Sequence, residues 1–197
     1  MNAAELCAVL LALAYVILAI QQRRICWLAA IASALLYIHI FWQVALYLEA
    51  VLQVFYIAIA LYGWSAWGRQ PRDDHSHNQS HNQAHDQSQI QTWTGQQHLV
   101  ACTSVVSLSL TLGWGMQTWT DAALPFFDAA TTVSALLATW MVTQKLLENW
   151  LYWIAINVVS IGLYLSRDLS LTAALFAGYV VLSMIGYRTW RAQWLRQ

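Results

Sequence analysis

Amide and aromatic side chains set at helical spacing inside long apolar stretches are the residues of this chain best equipped for chemistry. Asn149, Trp153 and Asn157 recur every four residues and so share one helix face, with Trp150 beside them and Tyr164 further along. Glu49, Gln53, Tyr56, Gly63 and Trp67 follow helical spacing in the same way, and Trp64 adjoins them. A third stretch adds Asp128, Thr131, Thr132 and Trp140. Polar groups in such surroundings are costly and face a bundle interior or a cavity, so the chemistry they offer is recognition of a bound molecule. An enzyme would need a nucleophile or metal constellation at depth. No Ser/His or His/Glu pairing at usable spacing is present, so no catalytic residue is assigned.

Several of these residues also have plainer roles. Trp67, Trp190 and Trp194 fit the interfacial belt in which amphipathic rings anchor helices. Thr131 and Thr132 suit bonds to their own backbone or to a neighbouring helix. Glu49 and Asp128 fall near stretch ends, and an anion early in a helix is favoured by the dipole. Gln53 and Asn157 lie deeper, where pocket and packing roles are both open. His39 stands alone in the second stretch and is expected to be satisfied by packing neighbours. Cys7, Cys26 and Cys102 show no CxxC or Cys/His spacing, so they read as small packing residues, with neither a disulfide framework nor a zinc site.

The elements that must position these residues are membrane helices. Hydrophobic residues make up 59% of the 197 and charged ones 9%, against about 25% charged in a soluble domain. Mean hydropathy is +0.48, and a net charge of zero argues against a nucleic-acid partner. Apolar stretches run roughly over 3–20, 25–42, 48–67, 97–116, 123–143, 149–165 and 170–190, each near the length of about 20 residues that a hydrocarbon core requires. Unsatisfied backbone is too costly in lipid for anything but helices or a closed barrel, and alternating ten-residue strands are not seen. The expected fold is therefore an all-α integral membrane protein of seven helices.

The chain also matches itself at a constant offset of 123 residues, 3–70 onto 126–193, without a gap. Trp27 falls on Trp150, Tyr56 on Tyr179, Gly63 on Gly186 and Trp67 on Trp190. Each copy has three crossings, so a directly joined second copy would be inverted. The extra crossing at 97–116 restores the sense, giving a 3+1+3 plan of two parallel repeats joined by an inversion-linker helix. Boundaries follow at 1–67 for the first repeat, 68–96 for a loop, 97–122 for the linker and 123–197 for the second repeat and tail. Polar positions break the symmetry: Gln53 faces Phe176, Asn157 faces Ala34 and Asn149 faces Cys26, as an asymmetric ligand would require.

Lys and Arg divide sharply between the two sides. Arg23, Arg24, Arg69, Arg72, Lys145, Arg188, Arg191 and Arg196 fall on one, and Arg167 alone on the other. By the positive-inside rule the amino terminus lies outside and the carboxyl terminus in the cytoplasm. The first apolar stretch lacks a basic leader and is matched in the second copy, so it reads as structural rather than as a cleavable signal. The loop carrying His75, His77, His81 and His85 among Asn, Gln, Ser and Asp is disordered by composition, and irregular spacing without Cys argues against a metal site there.

The run Glu148-Asn149-Trp150-Leu151-Tyr152-Trp153-Ile154, continuing through Asn157 and Ile161-Gly162-Leu163-Tyr164 to the ending Ile185-Gly186-Tyr187-Arg188-Thr189-Trp190, resembles the PnuC family of vitamin transporters. Leu52-Gln53-Val54-Phe55-Tyr56 and Leu61-Tyr62-Gly63-Trp64 resemble it too. The similarity spans nearly all of the membrane part and excludes the His-rich loop. It implies a transporter of nicotinamide riboside, feeding NAD synthesis, or of a related vitamin precursor, in a bacterial inner membrane. The mode it implies is facilitated diffusion, with trapping by a cytoplasmic kinase that phosphorylates the arriving substrate. It also implies the 3+1+3 fold, with substrate contacts at Gln53, Tyr56, Asn149, Trp150, Trp153 and Asn157, and Trp140 added on a looser match. No cofactor or metal is implied, and oligomerisation stays open.

Such a ligand suits the residues. A pyridinium over a Trp face gains roughly 0.5–2 kcal/mol without a buried carboxylate, and Asn and Gln both donate and accept towards amide or ribose groups. Thiamine, also cationic and aromatic, would suit them equally. A retinal protein would need a lysine deep in its last helix, but the single lysine is Lys145 at a helix end. A sugar uniporter of similar plan carries Pro-Gln hinges, and the prolines here are Pro71 and Pro125. A receptor or structural role without transport is the remaining alternative. Ion coupling is disfavoured, because only Glu5, Glu49 and Asp128 are placed to relay a charge.

Overall fold

The computed structural model describes residues 3–43, 47–68, 89–119, 124–165 and 170–197, which form seven α-helices with no β-strand among the described residues. They are α1 (Ala3–Ile20), α2 (Cys26–Gln43), α3 (Tyr47–Ala66), α4 (Gly95–Trp119), α5 (Pro125–Thr143), α6 (Asn149–Leu165) and α7 (Ser170–Trp194). The four histidines of the polar loop, together with Arg69, Arg72 and Arg167, lie outside the described residues, as does the side chain of Glu49. By length and composition α2, α4 and α5 can cross a membrane, and α1, α3 and α6 contribute shorter apolar stretches.

Burial supports a lipid setting, because many large apolar side chains face outward. The interior is rich in small residues such as Ala8, Ala19, Ala34, Ala50 and Ala60, while Leu10, Leu35, Phe55, Leu99 and Trp114 are exposed. Water would penalise that surface heavily, whereas in lipid it costs nothing and small residues let helices approach closely.

Two helix boundaries differ from the hydropathy pattern for identifiable reasons. α4 begins at Gly95 because Thr94 and Gln97 form a capping box: the Thr94 N–H donates to Gln97 Oε1 at 2.8 Å, and the Gln97 N–H lies 3.5 Å from Thr94 Oγ1. α7 continues to Trp194, past the apolar run, carrying Arg191 in its last turn where the helix dipole favours a cation. α5 opens with Pro125 at its first position, where a missing N–H costs nothing.

The chain divides into two compact units. The first comprises Met1–Gln91 with Val142–Lys145 and Arg188–Gln197. In it α1 packs on α2 and α2 on α3. The buried Ser33 hydroxyl donates to the Ala8 carbonyl at 2.9 Å, and the Trp27 ring lies so close over Gly63 that an added Cβ would sit 2.4 Å from it. Arg24 donates from Nε to the Trp64 carbonyl at 2.7 Å, with its guanidinium 4.0 Å above the Trp64 ring. Trp67 and Trp190 are interior residues, 9% and 0% exposed, so the belt role expected for them does not hold. The Trp67 Nε1–H donates to the Thr143 carbonyl at 3.1 Å, and the Trp190 Nε1–H to those of Ala19 and Ile20 at 3.3 and 3.1 Å. Each indole thus satisfies a carbonyl orphaned at a helix end. Their rings lie 6.4 Å apart.

The second unit comprises Thr92–Met141 and Leu146–Tyr187. Here Phe126 closes over Gly113, and the Trp150 ring sits on Gly186, where an added Cβ would come within 2.6 Å.

Local structure recurs at the repeat offset. Trp27 on Gly63 corresponds to Trp150 on Gly186. Gln22 and Lys145, also equivalent, both have φ 53°, the left-handed conformation that ends α1 and α5. The Arg23 N–H donates to Leu18 O at 2.9 Å and that of Gln22 to Ala19 O at 3.0 Å, matched by Leu146 to Met141 at 3.1 Å and Lys145 to Val142 at 3.0 Å. These are paired Schellman caps. Even the indole bonds are reciprocal, since Thr143 is the repeat equivalent of Ile20.

Candidate functional site

In the first unit α3 presents Gln53 and Tyr56, three residues apart and both half-buried, on one face. The Tyr15 ring of α1 stands 5.8 Å from Trp27 of α2, and the Tyr15 hydroxyl and Trp27 Nε1–H are both sealed from solvent without a hydrogen-bond partner. Tyr15 belongs to none of the polar helix faces that spacing marks. The signal was available, for its equivalent in the second copy is Ala138, which breaks the symmetry as Gln53 against Phe176 does.

In the second unit α6 turns Asn149, Trp150, Asn157 and Ser160 inward and leaves Trp153 half-buried, so the helical-face expectation holds for burial. Asn149, Trp150 and Asn157 differ in their surroundings, while the Ser160 hydroxyl donates to the Ile156 carbonyl of its own helix at 2.9 Å. Asn149 is 0% exposed at the start of α6, where its Nδ2–H donates back to the Leu146 carbonyl while its Oδ1 has no partner. Trp150 packs on Gly186 just as Trp27 packs on Gly63, so a scaffold contact accounts for it. Asn157, 4% exposed and eight residues along the same face, is the deep amide. The second copy fills the place equivalent to Gln53 with Phe176, whose ring lies 5.0 Å from Tyr164 and 5.9 Å from Tyr179.

Trp140 lies elsewhere in this unit. It is 40% exposed, its ring 6.1 Å from Trp93, on the wall of an apolar groove of about 1000 Å³ between α4 and α5. Val100, Leu108, Val133 and Leu137 line the same groove. Beside it the Trp93 N–H donates to Glu148 Oε1 at 3.2 Å, and His98 Nδ1 and the Tyr152 hydroxyl share a hydrogen bond of 3.0 Å.

Other expectations resolve simply. Thr131 donates to the Phe127 carbonyl of its own helix at 2.9 Å, and Asp128 stands in the first turn of α5. His39 is exposed, not enclosed by packing, and its Nε2 pairs with Gln43 Nε2 at 3.0 Å. Cys26 is buried, whereas Cys7 and Cys102 are exposed. No group of three His, Cys, Asp or Glu side chains suited to a metal occurs among the described residues.

The profile of the nicotinamide mononucleotide transporter family matches residues 2–192 of this chain. The nicotinamide riboside transporter PnuC of Escherichia coli (strain K12) is 27% identical over 170 residues, which are 77% of this chain and 69% of that protein. The riboflavin/roseoflavin transporter RibM of Streptomyces davaonensis is 22% identical over 147 residues, 73% of this chain and 62% of that one. A crystal structure of the vitamin B3 transporter PnuC superposes with a TM-score of 0.74 at 19% identity, covering 98% of this chain and 82% of that chain. At that identity the match establishes the fold.

Proposed function

We propose that this chain, which belongs to the nicotinamide mononucleotide transporter family and is a multi-pass membrane protein, carries nicotinamide riboside across a bacterial cytoplasmic membrane. The observation that carries the reading is the pair of polar positions broken out of a repeated apolar frame, Gln53 against Phe176 and Asn157 against Ala34, in a relative of a nicotinamide riboside transporter. Gln53, Tyr56, Trp153 and Asn157 contact the substrate, amides to its carboxamide and ribose, rings to its pyridinium. Asn149 and Trp150 position α6, and Trp140 is assigned to the groove side of α5.

Charge favours the nucleoside over the mononucleotide. A phosphate recruits Arg or Lys, yet among the described residues Arg23, Arg24, Lys145, Arg188, Arg191 and Arg196 stand between helices or towards a helix end, and the candidate residues are uncharged. A molecule with one delocalised positive charge needs no buried counter-ion when ring faces supply the attraction.

Transport is uncoupled, with two parallel three-helix repeats around an inversion-linker helix rocking about the bound substrate. The amino terminus is outside, the carboxyl terminus in the cytoplasm, and a cytoplasmic kinase makes uptake one-way. The paired caps and the paired Trp-on-Gly contacts support the duplication, and the distribution of Arg and Lys supports the orientation.

Calorimetric titration of the purified protein tests the substrate. Nicotinamide riboside should bind, with nicotinamide mononucleotide, thiamine and riboflavin weaker by at least about tenfold. Tighter binding of the mononucleotide or of another vitamin would overturn the assignment. Uptake into liposomes should survive dissipation of proton and sodium gradients, and its collapse would overturn the uncoupled mechanism.

A further inference from the structure

The first unit leaves two polar groups idle that its own chemistry could have satisfied. The Tyr15 hydroxyl and the Trp27 Nε1–H are each buried and unpaired, on rings whose centres lie 5.8 Å apart, inclined at 50°. Elsewhere the same unit provides for its buried indoles: Trp67 and Trp190 each donate to a carbonyl. Buried polar groups in folded proteins are nearly always paired, so an unpaired neighbouring couple calls for a specific explanation.

Comparison of the two copies separates the scaffold from the addition. Trp27 has a twin in Trp150, and each ring covers a glycine, so the indole is needed for packing. Tyr15 has no such twin: its equivalent Ala138 is fully buried and carries no polar group. Packing does not require the hydroxyl either, for a phenyl ring fills nearly the same space.

We propose that the Tyr15 hydroxyl is a further substrate contact and that it and the Trp27 Nε1–H, each buried without a partner, are hydrogen-bond donors to oxygen of the carried molecule. An indole N–H only donates, and a phenol donates readily, so the matching group is an acceptor oxygen, of carboxamide or ribose type. The cost of leaving both atoms unpaired in the empty protein is recovered when that oxygen arrives. A ligand without an oxygen there leaves the buried donors unpaired and binds weakly, which makes the pair a specificity element. The identity of the molecule rests on the nicotinamide riboside reading above.

Tyr15→Phe tests this with two measurements on the full-length protein. Without ligand, the variant should unfold at or above the wild-type temperature, because an unpaired buried hydroxyl has been removed. With nicotinamide riboside, its calorimetric Kd should weaken roughly 10- to 100-fold. An affinity within about twofold of wild type would overturn the inference alone, as would a ligand-free variant that unfolds well below wild type, since the hydroxyl would then be holding the fold. Wild-type protein that bound no nicotinamide riboside would remove the functional reading and this inference together.

Discussion

Alanine at Gly63 or Gly186 should damage the protein to the same degree, because the two glycines do the same job in the two copies. A Cβ on Gly63 would stand 2.4, 2.5 and 2.7 Å from three atoms of the Trp27 ring, and one on Gly186 would stand 2.6, 2.6 and 2.7 Å from the Trp150 ring. Carbon atoms sit comfortably at about 3.5–4.0 Å, so each indole would have to retreat by about 1 Å. Neither has room, with Trp27 0% and Trp150 3% exposed. Overpacking of this kind costs about 1–3 kcal/mol, and rigid rings on both contacts put the cost near 3 kcal/mol, of which alanine's helix propensity offsets about 1 kcal/mol, leaving about 2 kcal/mol. For a chain of this length that is a fall of roughly 4–8 °C in melting temperature, read by intrinsic tryptophan fluorescence in detergent. Gly162→Ala is the control: nothing lies within 4 Å of its Cβ, and helix propensity then favours alanine by about 1 kcal/mol. Pairing Gly63→Ala with Trp27→Phe should recover part of the loss, since the smaller ring vacates the contested space. Melting of Gly63→Ala or Gly186→Ala within about 2 °C of wild type, or an equal fall in Gly162→Ala, would refute the close-approach reasoning.

Trp67→Phe and Trp190→Phe each remove an indole bond to a helix-end carbonyl and should each lower the melting temperature by about 2–4 °C, as expected for about 1 kcal/mol; two unchanged melting curves would contradict this. Asn157→Ala should fold normally, because Ala34 occupies the same position in the first copy at 4% exposure, while nicotinamide riboside binding weakens by roughly tenfold or more; unchanged calorimetry would exclude Asn157 from the site. Burial holds the Lys145 ammonium below the usual lysine range, so the folded chain gives up its proton more readily than the unfolded one. The penalty is complete below the folded value and fades as pH rises towards about 10.4, so wild type should gain stability relative to Lys145→Gln over alkaline pH, and a pH-independent difference would refute it. Exchange of the Gln53 and Phe176 residue types should separate site from frame: Gln53→Phe should abolish binding, whereas Phe176→Gln should chiefly destabilise, by about 1–3 kcal/mol, because it places an amide among the Tyr164 and Tyr179 rings; equal effects on binding would defeat the asymmetry argument.

Hydropathy located all seven helices because lipid imposes length and composition together. α6 begins at Asn149 and ends at Leu165 as expected, since polar residues flank it on both sides. Structure departs from the hydropathy pattern where the deciding interaction is not apolar. α4 starts early on the strength of the Thr94–Gln97 capping box, a local pattern visible in sequence yet invisible to hydropathy. Trp67 and Trp190 were misplaced to the interface because an anchoring indole and a buried one look alike in one dimension. What distinguishes them is a carbonyl supplied by a residue 76 positions away for Trp67 and 170 for Trp190. The candidate site was legible as a set of helix faces, because spacing fixes which residues share a face. The separate role of Trp150 needed the Gly186 contact, and the idle Tyr15 hydroxyl needed the burial of a single atom.

Duplication and asymmetry answer to different physical demands here. A contact that must be rigid is made the same way twice: Trp27 on Gly63 and Trp150 on Gly186, with caps at Gln22 and Lys145 that share one φ. Such contacts involve apolar surface and backbone, which have no preference for one copy over the other. Nicotinamide riboside has no twofold symmetry, with a flat cationic amide at one end and hydroxyls at the other, so a polar group useful in one copy would be a buried, unpaired cost in its mate. The positions proposed to contact the ligand all have apolar partners: Gln53 with Phe176, Asn157 with Ala34, Tyr15 with Ala138. Ala34 and Ala138 are 4% and 0% exposed, so those two places in the unused copy are packed shut, while Phe176 stays half-buried with the Tyr164 and Tyr179 rings 5.0 and 5.9 Å away. One-sidedness alone does not assign a residue, since Ser33, whose hydroxyl bonds the Ala8 carbonyl between helices, also has an apolar equivalent in Ile156; the proposed ligand contacts at Gln53, Asn157 and Tyr15 stand or fall on the binding measurements.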